Sequence, residues 1–213
     1  MASPKDLVTV LYRPRATMRR VLDGGRDRWT IQIVVLAFIC ASVGDADISK
    51  LLAALPDLSL NATLALVALA LLLIAACWII VLYLFAWVAT FIGRWLDGQG
   101  EIADVRAALA WGLVPVIWSV VLRIPLAVYK SRVIPQTLDQ HRFMMDFVSK
   151  GGCALAVLVA TFQILLYVWI AYVASSTVAE ALHFSSWSGF ATIALTAAVP
   201  VIVAVAAALA VKT

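Results

Sequence analysis

Few side chains in this 213-residue sequence are of a type that does chemistry, and their spacing limits what they could do. Glu180 and His183 have the Glu-x-x-His spacing of di-iron proteins, but such sites draw ligands from four helices. The other histidine, His141, falls in a different loop, across an apolar run, so the two cannot share a metal. SSWSG (185–189) lacks the leading glycine of a Gly-x-Ser-x-Gly elbow and follows no strand, which removes hydrolase chemistry. Asp97, Glu101 and Asp104 could gather a divalent cation, yet they equally suit a turn and a helix start, where acids favour the positive end of the helix dipole. Cys40, Cys77 and Cys153 lie far apart in apolar runs with no paired spacing, and read as buried reduced thiols. There is no P-loop, dinucleotide fingerprint or His-Glu-x-x-His pattern. These residues assign no catalytic group, metal ligand or cofactor, and the expectation is a non-enzymatic protein.

Polar groups inside apolar runs say more, because an ionisable residue within a membrane span is a functional candidate. Trp111, Pro115, Ser119 and Arg123 recur every four residues and form one slowly drifting helical stripe. Pro115 frees a backbone carbonyl on that stripe, and Gln163 sits mid-way along the next apolar run and needs a partner. Pro115, Ser119, Arg123 and Gln163 could line a polar seam, or could tie helices together by hydrogen bonds worth about 0.6–2 kcal/mol. Arg123 stands about 25 Å along the helix from Arg106, close enough to an interface for its side chain to snorkel.

The elements that position these residues are apolar helices. Hydrophobic residues make up 64% of the chain and charged residues 13%, with mean hydropathy +1.02. That composition belongs to a membrane protein. Five runs, at about 29–44, 62–93, 106–129, 152–178 and 189–211, are expected to span the bilayer. The first is short, and the second is long enough to tilt or to project. DGQG (97–100) and HFSSWSG (183–189) read as turns. Ala194, Ala198, Ala204 and Ala208 are expected at close-packed positions of the fifth run. Asn61-Ala62-Thr63 is a glycosylation sequon by pattern only. The fold expected is all-α, a polytopic bundle of five transmembrane helices (29–213) with short amphipathic interfacial helices.

Net charge is +4, and residues 1–28 hold all of it. Seven basic residues precede the first run and one follows it, so the positive-inside rule puts the N-terminus in the cytoplasm and the C-terminus outside. A 28-residue basic front is long for a cleaved leader, so the first run is expected to be retained. Within 13–25, Pro14 starts a short helix on which Met18, Val21 and Leu22 form an apolar strip flanked by arginines. Such a helix suits the headgroup zone, with Arg13, Arg15, Arg19 and Arg20 contacting anionic lipid or a protein partner. A second interfacial helix is expected over 137–149. The arginines are no nucleic-acid arm, because the chain behind them is apolar and adds no net charge.

A basic front with an Arg-Pro-Arg element, then GRWLDGQGEIADVRAALAWGLVPVIWSVV (93–121), then EALHFSSWSGF (180–190), resembles the Yip family of integral membrane proteins in its bacterial form. The resemblance implies five transmembrane helices and a cytoplasmic N-terminus. Eukaryotic members bind Rab-type GTPases and carry an Asp-Leu-Tyr-Gly-Pro element ahead of the first span. RVLDGGRDRW stands there in this chain, so no GTPase-binding residue is carried over.

The function expected is to organise lipid or recruit a protein at the cytoplasmic membrane face, with anionic headgroups as partners. The protein partner and a homo-oligomer stay open. The alternative is a small transporter, channel or lipid scramblase that uses the polar seam.

Overall fold

The computed structural model describes residues 5–24, 29–45, 59–121, 124 and 153–210. Seven helices are named here: α1 (Asp6–Thr9), α2 (Pro14–Gly24), α3 (Thr30–Asp45), α4 (Leu60–Trp95), α5 (Ile102–Gly112), α6 (Cys153–Ala181) and α7 (Ser186–Ala210). The chain is all-α. α4, α5 with its continuation to Val121, α6 and α7 are long and apolar enough to cross a membrane, and α3 is a shorter apolar helix. Arg123, and the interfacial helix expected over 137–149, lie outside the described residues.

Local sequence sets the helix ends. Ser59 caps α4, its hydroxyl accepting the Ala62 N–H at 3.4 Å. At the other end Asp97 takes φ 65°, and the Gly98 N–H reaches back to the Gly93 carbonyl at 2.9 Å. The same closure ends α6: His183 takes φ 61° and the Phe184 N–H bonds the Ala179 carbonyl at 3.0 Å. Both are Schellman turns, which use up carbonyls that the helix leaves unpaired. α5 pauses at Leu113 and resumes over 114–121. Pro115 has no N–H for the Trp111 carbonyl and its ring crowds that oxygen. The chain passes the break with shorter-range bonds, Leu113 N–H to Ala110 at 3.0 Å and Val116 N–H to Leu113 at 2.9 Å.

α6 is the centre of the assembly, contacting α5, α7 and α2, while α3 packs on α4 and α5. α3 runs antiparallel to α4: Phe38 meets Trp78 with ring centroids 6.1 Å apart, and Val34 packs with Leu82. Trp111, Val105, Val173, Val178 and Leu182 form the main core with Val10, Met18 and Val21 from the N-terminal helices. Close helix approach is needed where α7 meets α6, since a Cβ on Gly189 would lie 2.8 Å from Ala179 Cβ. The Thr177 hydroxyl lies 2.9 Å from the Ala108 carbonyl on α5 and 2.9 Å from Ala174 in its own helix.

The alanines expected to pack α7 do not all do so: Ala194, Ala204 and Ala208 are exposed, and Gly189, Thr192 and Thr196 face the bundle instead. Thr192 and Thr196 donate to Ser188 and Thr192 carbonyls of their own helix at 2.8 and 2.7 Å. A hydroxyl satisfied within its helix lets threonine pack as a small apolar residue. By contrast, the apolar outer surface of α4 is bare, with Leu72 at 69% and Ile80 at 66% exposure. So large a continuous apolar surface requires a hydrocarbon environment.

Candidate functional site

Arg15 and Arg19 meet Glu180 where α2 crosses the end of α6, and Arg20 pairs with Asp6 of α1. α2 forms because Pro14 presets the first turn and no helix breaker follows before Gly24. Its strip of Pro14, Thr17, Met18 and Val21 is buried against the bundle. The apolar strip therefore faces protein, whereas an interfacial helix would turn it to acyl chains. Trp118 and Trp169 fix the preceding segment, donating their indole N–H groups to the Leu7 and Leu11 carbonyls at 3.3 and 3.2 Å. The arginines lie on the outer face.

Glu180 bridges two of them. Its Oε1 accepts Arg19 Nε at 2.7 Å, and its Oε2 lies 3.4 Å from Arg15 Nε. Arg15 also donates through Nη2 to the Phe184 carbonyl at 2.5 Å. A second pair joins Arg20 Nη1 to Asp6 Oδ1 at 3.1 Å, beside the linked hydroxyls of Thr17 and Thr9. The asymmetry in exposure decides what these pairs do: the Glu180 and Asp6 side chains are 11% and 5% exposed, while Arg19 and Arg20 are 72% and 60% exposed. The acids are part of the scaffold and the cations face outward. The Arg19 guanidinium is held above its ordinary pKa, first by its hydrogen bond to Glu180 and then by the charge of that carboxylate. Arg13 is exposed on the same helix pair. Lys5, Arg13, Arg15, Arg19 and Arg20 stand against Asp6, Asp23 and Glu180, leaving a cationic surplus.

The turn that ends α4 meets the turn that ends α6 beside this cluster. The Gln99 N–H bonds the Leu182 carbonyl at 3.1 Å, and a Cβ on Gly100 would strike the Ala181 carbonyl oxygen. Asp97 is thus a helix stop, Glu101 occupies the N-cap position of α5 and Asp104 its first turn. Among the described residues no group of three or more His, Cys, Asp or Glu could hold a metal. Exposed aromatic side chains rim the same end: Trp87, Phe91 and Trp95 follow one another along α4 with centroids 6.2 and 5.2 Å apart, and Trp187 is 79% exposed.

The other expected site residues are less concentrated. Trp111, Pro115 and Ser119 do share the buried face of α5. The Ser119 hydroxyl, however, donates to Val116 of its own helix at 2.6 Å. Gln163 is half-buried on α6. Sequence reasoning weighed Glu180 only beside His183 and missed its tie to the arginines. One signal could have found it: Glu180 is the sole charged residue in the 29 of α6, and such a residue needs a partner.

Apolar helices of spanning length, closed at one end by interlocked turns and a basic helix pair, define a multi-pass α-helical membrane protein. Residues 8–209 match the family model of the Yip1 domain. The match covers nearly the whole chain, and the chain belongs to the Yip family. No curated protein and no solved structure matches it.

Proposed function

We propose that this chain is a non-enzymatic protein of the cytoplasmic membrane that gathers anionic lipid at its N-terminal helix pair, with the arginine end of the bundle on the cytoplasmic side. The reading rests on one observation: α2 is fixed to the bundle by its apolar strip while Arg13, Arg15, Arg19 and Arg20 stay exposed. A helix already docked on protein presents its cations without a further ordering cost. The exposed aromatic side chains at the same end support it, since Trp and Tyr concentrate at headgroup level. The surface so formed also suits recruitment of an acidic protein segment.

The test is the lipid retained by the full chain in nanodiscs of phosphatidylcholine with a minor share of phosphatidylglycerol. Enrichment of phosphatidylglycerol around the protein is expected, and changing all four arginines to glutamine should abolish it. Equal retention by that variant would sink the reading.

A further inference from the structure

The manner in which Glu180 binds its two arginines carries a more specific inference about the same surface, one that rests on the lipid reading above. Docking of α2 does not need two arginines on one acid, because Met18 and Val21 are already fully buried. Each guanidinium offers five N–H donors in a rigid planar fork. Glu180 takes only the Nε of each, one per oxygen. Arg15 then places Nη2 on the Phe184 carbonyl. Among the described residues this leaves Arg15 Nη1 and both terminal nitrogens of Arg19 without a protein acceptor. Both guanidinium groups stand on one carboxylate, Arg19 hydrogen-bonded at 2.7 Å and Arg15 at an ion-pair distance of 3.4 Å, so two forks with unused nitrogens share one acid. Asp23 as well as Glu180 acts on Arg19, and the helix pair as a whole, with Lys5, Arg13, Arg15, Arg19 and Arg20 against Asp6, Asp23 and Glu180, keeps a small cationic surplus that suits a singly charged phosphodiester.

We propose that Arg15 and Arg19 form a two-guanidinium clamp for the phosphate of an anionic glycerophospholipid, and that Glu180 is its positioning residue. The carboxylate holds the Nε edges inward so that the terminal nitrogens face a headgroup. Bidentate recognition of phosphate depends on fork geometry, which lysine lacks. The clamp therefore differs from diffuse attraction between a basic helix and an acidic surface. The sign of one substitution separates them: loss of the Glu180 charge makes the surface more positive, yet it releases the forks.

The experiment compares phosphatidylglycerol retained by the full chain in mixed nanodiscs for the unaltered protein, Arg15→Lys, Arg19→Lys, Glu180→Gln and Arg94→Lys. Arg15→Lys and Arg19→Lys each keep the charge and are each expected to lower retention about fivefold, the worth of one hydrogen bond lost from a bidentate pair. Glu180→Gln should also lower it, and Arg94→Lys, at an exposed arginine outside the cluster, should leave it unchanged. Full retention by the Arg15 and Arg19 lysine variants, or greater retention by Glu180→Gln, overturns the clamp while leaving the lipid reading intact. No loss on changing all four arginines to glutamine overturns both. The lysine variants keep the test decisive where Glu180→Gln unfolds. A thermal shift of the detergent-solubilised protein by inorganic phosphate, equal to that given by phosphatidylglycerol, overturns the assignment to lipid.

Discussion

Arg19 Nε and Glu180 Oε1, 161 positions apart in sequence, are joined at 2.7 Å. The bond couples the start of the chain to the end of its central helix. The one charged residue of a 29-residue helix is held by cations from the N-terminal helix pair.

The acid is the buried partner, so losing the cations and losing the acid should have different consequences. Removing the partners of a buried charge strands it, whereas removing the charge with them does not. Arg15→Gln with Arg19→Gln is expected to lower the melting temperature in detergent. Adding Glu180→Gln to that pair should recover part of the loss. Additive losses across the three changes would show that the bridge contributes nothing to docking.

Met18 anchors α2 and is fully buried. Met18→Ala should cost about 2–5 kcal/mol if its site does not collapse. Tyr12, 62% exposed, should tolerate Tyr12→Ala within about 0.5 kcal/mol. Hydrogen exchange over residues 14–24 reads whether the Met18 change acts by releasing α2.

Thr177 bonds across helices and Thr192 only within its own. Thr177→Val should therefore destabilise by about 0.6–2 kcal/mol in a reversible unfolding measurement. Thr192→Val should be close to neutral. Equal effects would mean that the contact with Ala108 adds nothing.

Gly100 lies against the Ala181 carbonyl, where no side chain fits. Gly100→Ala should force the two turns apart and cost about 1–3 kcal/mol by overpacking. Proteolysis in the 96–101 turn should accelerate in parallel.

The proposed orientation has its own check. A reporter that is active only outside the cytoplasm, fused after Thr213, is expected to be active. Activity of a cytoplasmic reporter there would change either the number of spans or their direction.

How much of this was legible depended on whether a residue's partner was near in sequence. α4 and α7 could be read from uninterrupted apolar runs, and the break in α5 from Pro115, because those effects act within a few residues. The strip of α2 was legible as a strip, but periodicity does not say whether lipid or protein covers it. His183 and Asp97 as left-handed helix stops were not legible, since glycine usually fills that place. The GRWLDGQG and EALHFSSWSGF segments carried the family resemblance without showing why both were needed. They touch each other, through Gln99 and Leu182, and the contact fixes their glycines and short side chains.

The length of α4 has a consequence for the bilayer itself. Its 36 residues extend about 54 Å at 1.5 Å per residue. A hydrocarbon layer is about 30 Å thick, and about 40–45 Å with its headgroup zones. Even at a tilt of about 40°, the steep end of the usual range, the helix projects about 41 Å onto the membrane normal. Mismatch on that scale is met by steep inclination, by local thickening of the lipid or by projection of the helix past the headgroups. The row of Trp87, Phe91 and Trp95 covers about 12 Å of the axis, comparable to one headgroup layer with its margin. The Gln99–Leu182 bond ties the end of α4 to the turn that follows Glu180, so the inclination of α4 in the bilayer and the placement of that acid share one backbone contact.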